Sequence, residues 1–134
     1  MSKDFLQSIF EYLSNNAELK KIVGDNIFPM YIPQYDKIPA IVYYPVSVSY
    51  DTELGRDSGF QKVIVQIDCH EKTFKKARIL SRLIKKMFQD YHGDMYGTNI
   101  QAVFIKTDII INDTANNKFD ALNSVHVLEF EFFI

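Results

Sequence analysis

The chain has 134 residues, of which 47% are hydrophobic, and a formal net charge of −2. This length and apolar content predict one domain, 1–134, with a sizeable core, and they exclude a disordered chain. The near-neutral charge offers no overall excess of basic residues for nucleic acid. The single cysteine excludes an internal disulfide, and without a run of eighteen apolar residues no transmembrane helix is expected.

The chain begins with helical patterns. Ser2 to Asn15 has apolar residues at steps of three and four, which predicts a first helix. Ala17 to Val23 predicts a second, short helix that ends at Gly24. Ile27 to Pro33 contains two prolines, so we expect an edge strand or a wrapped arm there.

A strand and a polar loop follow. Ala40 to Tyr50 is rich in valine and tyrosine, and Pro45 within it predicts a bulge or an exposed edge. Asp51 to Gly59 is polar and contains two glycines. We expect it to form a mobile loop, too long for a tight hairpin, that either carries contacts or only connects two strands.

The next stretch predicts a strand that leads directly into a long helix. In Phe60 to His70 alternate residues are apolar, which indicates a strand with one buried face: Val63, Val65, Ile67 and Cys69. From about 72 to 91 the period changes to that of a helix. Its apolar stripe consists of Phe74, Ala77, Leu80, Ile84, Met87, Phe88 and Tyr91.

Two further strands complete the pattern. Ile100 to Asn112 is expected to bury one face, made of Val103, Ile105, Ile109 and Ile111. Asn112 to Asp120 predicts a second polar loop, and Leu122 to Ile134 predicts a terminal strand. The sequence therefore predicts an α+β fold. Its mixed, mainly antiparallel sheet has four to five strands, with the long helix and the N-terminal helix packed on it.

The residues that could carry chemistry do not form a recognisable catalytic or metal-binding motif. Asp68, His70 and Glu71 lie close together in sequence, but their spacing fixes no ligand geometry. His126 alternates with apolar residues, and Cys69 lies on an apolar strand face, so both are expected to be structural. We expect neither enzyme activity nor a cofactor nor a metal.

Charge is unevenly distributed along the chain. Glu71 to Asp90 contains seven lysines and arginines and two acids, a local charge of +5, so the rest of the chain carries −7. This polarity suits self-association or a charged partner, although a solvated helix face is the simpler interpretation. A nucleic-acid-binding module that uses the basic helix remains an alternative, and its affinity would fall steeply with salt.

Three short motifs resemble those of a known family. They are the turn Val23-Gly24-Asp25-x-Ile27-Phe28-Pro29, the pair Pro33 and Pro39 around a polar insert, and Gln66-Ile-Asp68 followed by Glu71-x-Thr73 at the start of the long helix. With these motifs, the whole chain resembles the tail completion proteins of long-tailed siphophages, which are also called tail-to-head joining or tail terminator proteins.

The resemblance implies a structural virion protein. Members of the family form a six-membered ring at the head-proximal end of the tail tube, end tube growth and join the tail to the head connector. The implied partners are further copies of the chain, the tail tube protein and the head connector or stopper protein. DNA would pass through the channel only as cargo, and assembly would take place in the host cytoplasm without a membrane. Whether the free protein is a monomer stays open.

The residues proposed to contact partners come from the two polar loops and the basic helix. They are Leu54, Arg56, Asp57, Asn116, Lys118, Phe119, Arg82 and Lys86. The main alternative is a connector or stopper component on the head side. A small-molecule enzyme ranks last, because the sequence shows no convergent polar pocket.

Overall fold

The structure is a computed structural model that describes residues 4–32, 38–53, 56–112 and 124–134. The described part contains three helices and seven strands. In chain order they are α1 (Phe5–Ser14), α2 (Ala17–Val23), β1 (Ile27–Pro29), β2 (Ala40–Glu53), β3 (Arg56–Glu71), α3 (Phe74–Phe88), β4 (Gly93–Met95), β5 (Thr98–Ile100), β6 (Ala102–Asn112) and β7 (Ser124–Phe133).

Five strands form one mixed sheet in the order β1-β2-β3-β7-β6. Only β1 and β2 pair in parallel, and the other neighbours are antiparallel. Because β3 and β6 are both antiparallel to β7, they run in the same direction, and α3 connects them across β7. The strands β4 and β5 form a separate two-stranded hairpin. The predicted α+β class is confirmed, and so is the prediction of an edge strand after α2.

The helices cover one face of this sheet and form the core with it. The buried cluster joins residues of α1, α2 and α3 to the inner faces of β3 and β7. The predicted buried face of β3, Val63 to Cys69 in alternate positions, is confirmed. At the centre, the ring of Phe88 lies 5.0 Å from Tyr12, 5.3 Å from Phe130 and 5.7 Å from Phe132. This aromatic cluster fixes α1 and α3 relative to the sheet.

Thr73 caps the N-terminus of helix α3. The side chain of Thr73 accepts a hydrogen bond of 3.2 Å from the backbone N–H of Lys76, which satisfies one free amide of the first turn. The predicted stripe is buried from Ala77 to Phe88, but both of its ends were assigned wrongly. The helix ends at Phe88, not near 91, so Tyr91 lies outside α3 and is only partly buried. Phe74 is 47% exposed, because it stands in the first turn of α3 beyond the sheet, where its ring packs under the guanidinium of Arg78 at 5.7 Å.

The predicted loop from Asp51 to Gly59 is wrong. The strands β2 and β3 continue as a hairpin, in which Thr52 pairs with Asp57 and Glu53 pairs with Arg56. Only the two intervening residues lie outside the described residues. Polar residues and glycines suggested a loop, but ladder hydrogen bonds between two strands do not require apolar side chains. The bulge predicted at Pro45 is confirmed by a shift of register between Pro45 and Ser47.

The predicted buried face of β6 is only half right. The register shifts between Ile105 and Thr107, so that Lys106 has no opposite residue on β7. Such a bulge moves every following side chain to the other face of the sheet. Val103 is buried on the inner face as predicted, whereas Ile109 and Ile111 lie on the outer face and are half exposed. Of the second predicted loop, Asn112 ends β6, and 113–120 lie outside the described residues.

Candidate interaction surfaces

A groove runs between α2 and α3 on the helical side of the molecule. Two adjoining depressions share Ile22 and Ile79, and Leu83 extends this apolar floor. Ile79 is half exposed although it lies in the middle of α3, where the predicted stripe did not include it. An apolar floor open to solvent in a helical layer is typical of a surface that another chain covers.

The rim of this α2–α3 groove is strongly basic. Its five cationic residues are Lys21, Lys72, Lys76, Arg82 and Lys86. Two acids also line it, Glu18 and Glu71, but the carboxylate of Glu71 is buried and accepts a 3.1 Å hydrogen bond from the backbone N–H of Lys72. The excess of positive charge around apolar side chains favours an acidic partner that also carries an apolar residue.

The structure brings together two of the eight residues proposed to contact partners. Arg82 and Lys86 are exposed neighbours on the groove rim. Arg56 and Asp57 belong to the strand β3, at the end of the sheet far from the groove. The other four, Leu54, Asn116, Lys118 and Phe119, lie outside the described residues. Sequence reasoning missed the groove floor, because Ile22 and Ile79 become neighbours only when α2 packs beside α3.

A second surface lies on the outer face of the sheet at the edge strand β6. Phe104, Ile109 and Ile111 point away from the helices and are 55%, 50% and 53% exposed. In the part of the chain that the structure describes, β6 pairs with β7 alone, so its other side presents free backbone groups. An apolar edge strand of this kind favours contact with another protein chain.

Beside this edge a charged cluster crosses from α3 to the sheet. The bulge at Lys106 turns Asp108 to the inner face, where its Oδ2 accepts a 2.8 Å hydrogen bond from Lys85 Nζ and its Oδ1 contacts the buried His126 Nε2. Partial burial by itself would raise the pKa of the Asp108 carboxyl, but the contacts with Lys85 and His126 outweigh it and hold that pKa below its usual value. The expected structural role of His126 is confirmed by this contact and by its burial.

Cys69 stands opposite His126 in the ladder between β3 and β7. The pair does not make a reactive thiol, because Cys69 is fully buried and this burial raises the pKa of its thiol. His126 Nδ1 is buried and makes no hydrogen bond in the described structure. A buried, protonated thiol matches the expected structural role of Cys69.

The described residues were also searched for metal sites and for membrane-spanning helices. Among them, no three His, Cys, Asp or Glu side chains converge as metal ligands would. No helix of the described part has the length and apolar character needed to cross a membrane.

Comparisons with known proteins agree with this architecture. A family model described as "Tail completion protein gp17" matches residues 7–128. A solved chain from the "Virion of native gene transfer agent (GTA) particle" superposes with a TM-score of 0.65 at 8% sequence identity, over 93% of this chain and 90% of that chain. This second likeness shows a shared fold. No curated protein matches the sequence.

Proposed function

The chain belongs to the tail completion protein gp17 family, whose model spans residues 7–128 and gives the chain a structural role in the phage tail; on this premise, we propose that it forms a ring at the head-proximal end of the tail tube. The ring ends tube growth and joins the tail to the head connector. The single observation that carries this proposal is the family match over nearly the whole chain. The work of such a ring is binding, so it calls for neither a catalytic group nor a cofactor.

Two features of the structure support assembly into a closed ring. A ring needs a heterologous interface, in which two different surfaces of each subunit meet. The basic α2–α3 groove and the apolar edge of β6 are separate and chemically different, so each can contact a different surface of a neighbouring chain. We propose six subunits in the ring, the number typical of the family that the sequence resembles.

The proposed ring also has two ends, which would contact the tail tube protein on one side and the head connector or stopper protein on the other. DNA would pass through its channel as cargo. The protein would be located in the virion, at the head-proximal end of the tail, after assembly in the host cytoplasm.

A head-side connector or stopper is the second candidate within the same biology. Cosedimentation separates the two functions. Purified protein is mixed in parallel with tails assembled without it and with heads that lack tails. A tail completion protein sediments with the tails and restores their joining to filled heads. Sedimentation with heads alone would instead identify a head-side component.

The basic rim of the groove keeps nucleic-acid binding as a weaker candidate. Binding through lysines and arginines releases counterions, so the affinity for DNA would fall steeply between about 50 and 200 mM salt. Tail binding that persists at salt concentrations where DNA binding has vanished would separate the two activities.

A further inference from the structure

The α2–α3 groove has a defined chemical preference. Its floor, formed by Ile22, Ile79 and Leu83, would receive an apolar side chain, and its rim would receive carboxylates. The occupant should therefore be a short acidic segment with an apolar residue.

The same chain carries such a segment at the opposite end of its sheet. Strand β7 accompanies β3 only as far as Gln61, which exchanges backbone hydrogen bonds with Ile134. Beyond that point β3 pairs only with β2 in the described structure: after Tyr50 and Gln61 the register shifts, and Thr52 and Glu53 lie opposite Asp57 and Arg56. On the β2 side the arm has three residues beyond Tyr50, Asp51 to Glu53, which extend roughly 10 Å, so the arm projects past the end of β7.

The sequence of the arm complements the groove. Between Asp51 and Ser58 it contains three acids, Asp51, Glu53 and Asp57, against the single cation Arg56. Leu54 is the only large apolar residue in this stretch. A net charge of −2 around one leucine matches a basic rim around an apolar floor.

A subunit cannot fill its own groove with its own arm. Glu71 lines the groove, and the fifteen residues of β3 that separate it from Arg56 span roughly 50 Å. The helix α3 covers only about 18 Å from Phe74 to Lys86, so the groove stays roughly 30 Å from the start of the arm. The two complementary surfaces can meet only between different copies.

We infer that the groove between α2 and α3 is the docking site for the β2–β3 arm of a neighbouring copy of this chain. The inference rests on the proposed ring and identifies the contact that closes it. Because arm and groove are different surfaces, the interface is heterologous and repeats around a ring. Docking places the acids of one subunit beside Arg82 and Lys86 of the next.

Disulfide trapping tests this contact directly. The only native cysteine, Cys69, is buried, so we expect it not to form disulfides with the introduced cysteines. Two variants, Asp57→Cys on the arm and Lys86→Cys on the rim, are purified separately, mixed at high concentration and oxidised with copper–phenanthroline. Trapping accumulates even weak encounters, so the test does not require that the free protein be a stable ring.

The matched control replaces Lys86→Cys by Lys75→Cys, an exposed position of α3 outside the groove. The expected result is a mixed dimer at least fivefold more abundant with Lys86→Cys than with Lys75→Cys, and an excess that shrinks at high salt. Equal yields from the two positions would overturn the inference.

Charge exchange on tails separates this inference from the proposed function. Arg82→Glu with Lys86→Glu should reduce capping of tails at least tenfold, and so should Asp51→Lys with Glu53→Lys. The combined variant should recover capping, whereas Lys75→Glu with Arg78→Glu should leave it unchanged.

Wild-type protein that caps tails, together with a combined variant that stays defective, would contradict arm docking. A wild type that never binds tails would contradict the proposed tail-completion function instead. The disulfide-trapping result would then still test whether the arm docks in the groove.

Discussion

Lys85 on α3 donates a 2.8 Å hydrogen bond to Asp108 on β6. This contact depends on the bulge at Lys106, because without the shift of register Asp108 would point away from the helix. The same bulge turns Ile109 and Ile111 outward. One inserted residue therefore ties α3 to the edge of the sheet and creates an apolar outer surface on the same strand.

Removing the Asp108 carboxylate should destabilise the fold. Asp108→Ala leaves the buried His126 Nε2 without its partner, which costs about 1–3 kcal/mol in the free energy of unfolding. Lys85→Gln breaks only the partly exposed ion pair and should cost less than about 1 kcal/mol. Urea unfolding measures both, with Asp25→Ala at an exposed position as the control. Equal effects of the Asp108 and Lys85 variants would show that His126 does not depend on the carboxylate.

His70 should make stability depend on pH. Its partial burial lowers the pKa of its imidazole in the folded protein below the ordinary value of 6.5. The unfolded chain therefore binds the proton more readily, and the free energy of unfolding should fall as the pH falls from about 7.5 to 5.5. His70→Gln should flatten this slope in urea titrations at several pH values. A slope unchanged by His70→Gln would contradict this assignment.

Two phenylalanines of α3 should differ widely in their contribution to stability. Phe88 is fully buried against three other aromatic rings, so Phe88→Ala should cost about 3–5 kcal/mol. Phe74 is half exposed in the first turn, and Phe74→Ala should cost less than about 1 kcal/mol. Thermal or urea unfolding of both variants makes the comparison. Similar losses would mean that Phe74 is buried after all, as the sequence pattern alone suggested.

The outer residues of β6 should matter for assembly more than for folding. Ile109→Thr with Ile111→Thr keeps β-branched side chains on an exposed strand, so the free energy of unfolding should change by less than about 0.5 kcal/mol. If this surface contacts another chain in the virion, the double variant should lower the fraction of tails that carry the protein. Its control is Thr107→Val, a change on the same outer face of β6 that adds no polar group. Unimpaired capping by the double variant would remove β6 from the interface.

Sequence patterns predicted the fold class and the main elements well where one period held throughout. Alternation in β3 and helical spacing in α3 identified the buried faces, because each element packs one continuous side against the core. Sequence patterns gave wrong buried faces where the register of a strand changed. The residues around Lys106 do not predict a bulge in β6. Pro45 did predict the bulge in β2, because proline cannot donate a ladder hydrogen bond.

The interaction surfaces were less predictable. Arg82 and Lys86 were identified from a run of charge, but the apolar floor beneath them arises only when α2 packs beside α3. The segment from Asp51 to Gly59 was expected to be a loop because it is polar and contains two glycines, and these residues give no sign that β2 and β3 stay paired past the end of β7.

The most direct test of the proposed function is electron microscopy of tails assembled without this protein and then mixed with it. The account predicts a six-fold ring of density at one tail end, the end that then joins filled heads, with tube lengths that no longer grow. Tails that stay bare, while the protein decorates heads, would contradict it.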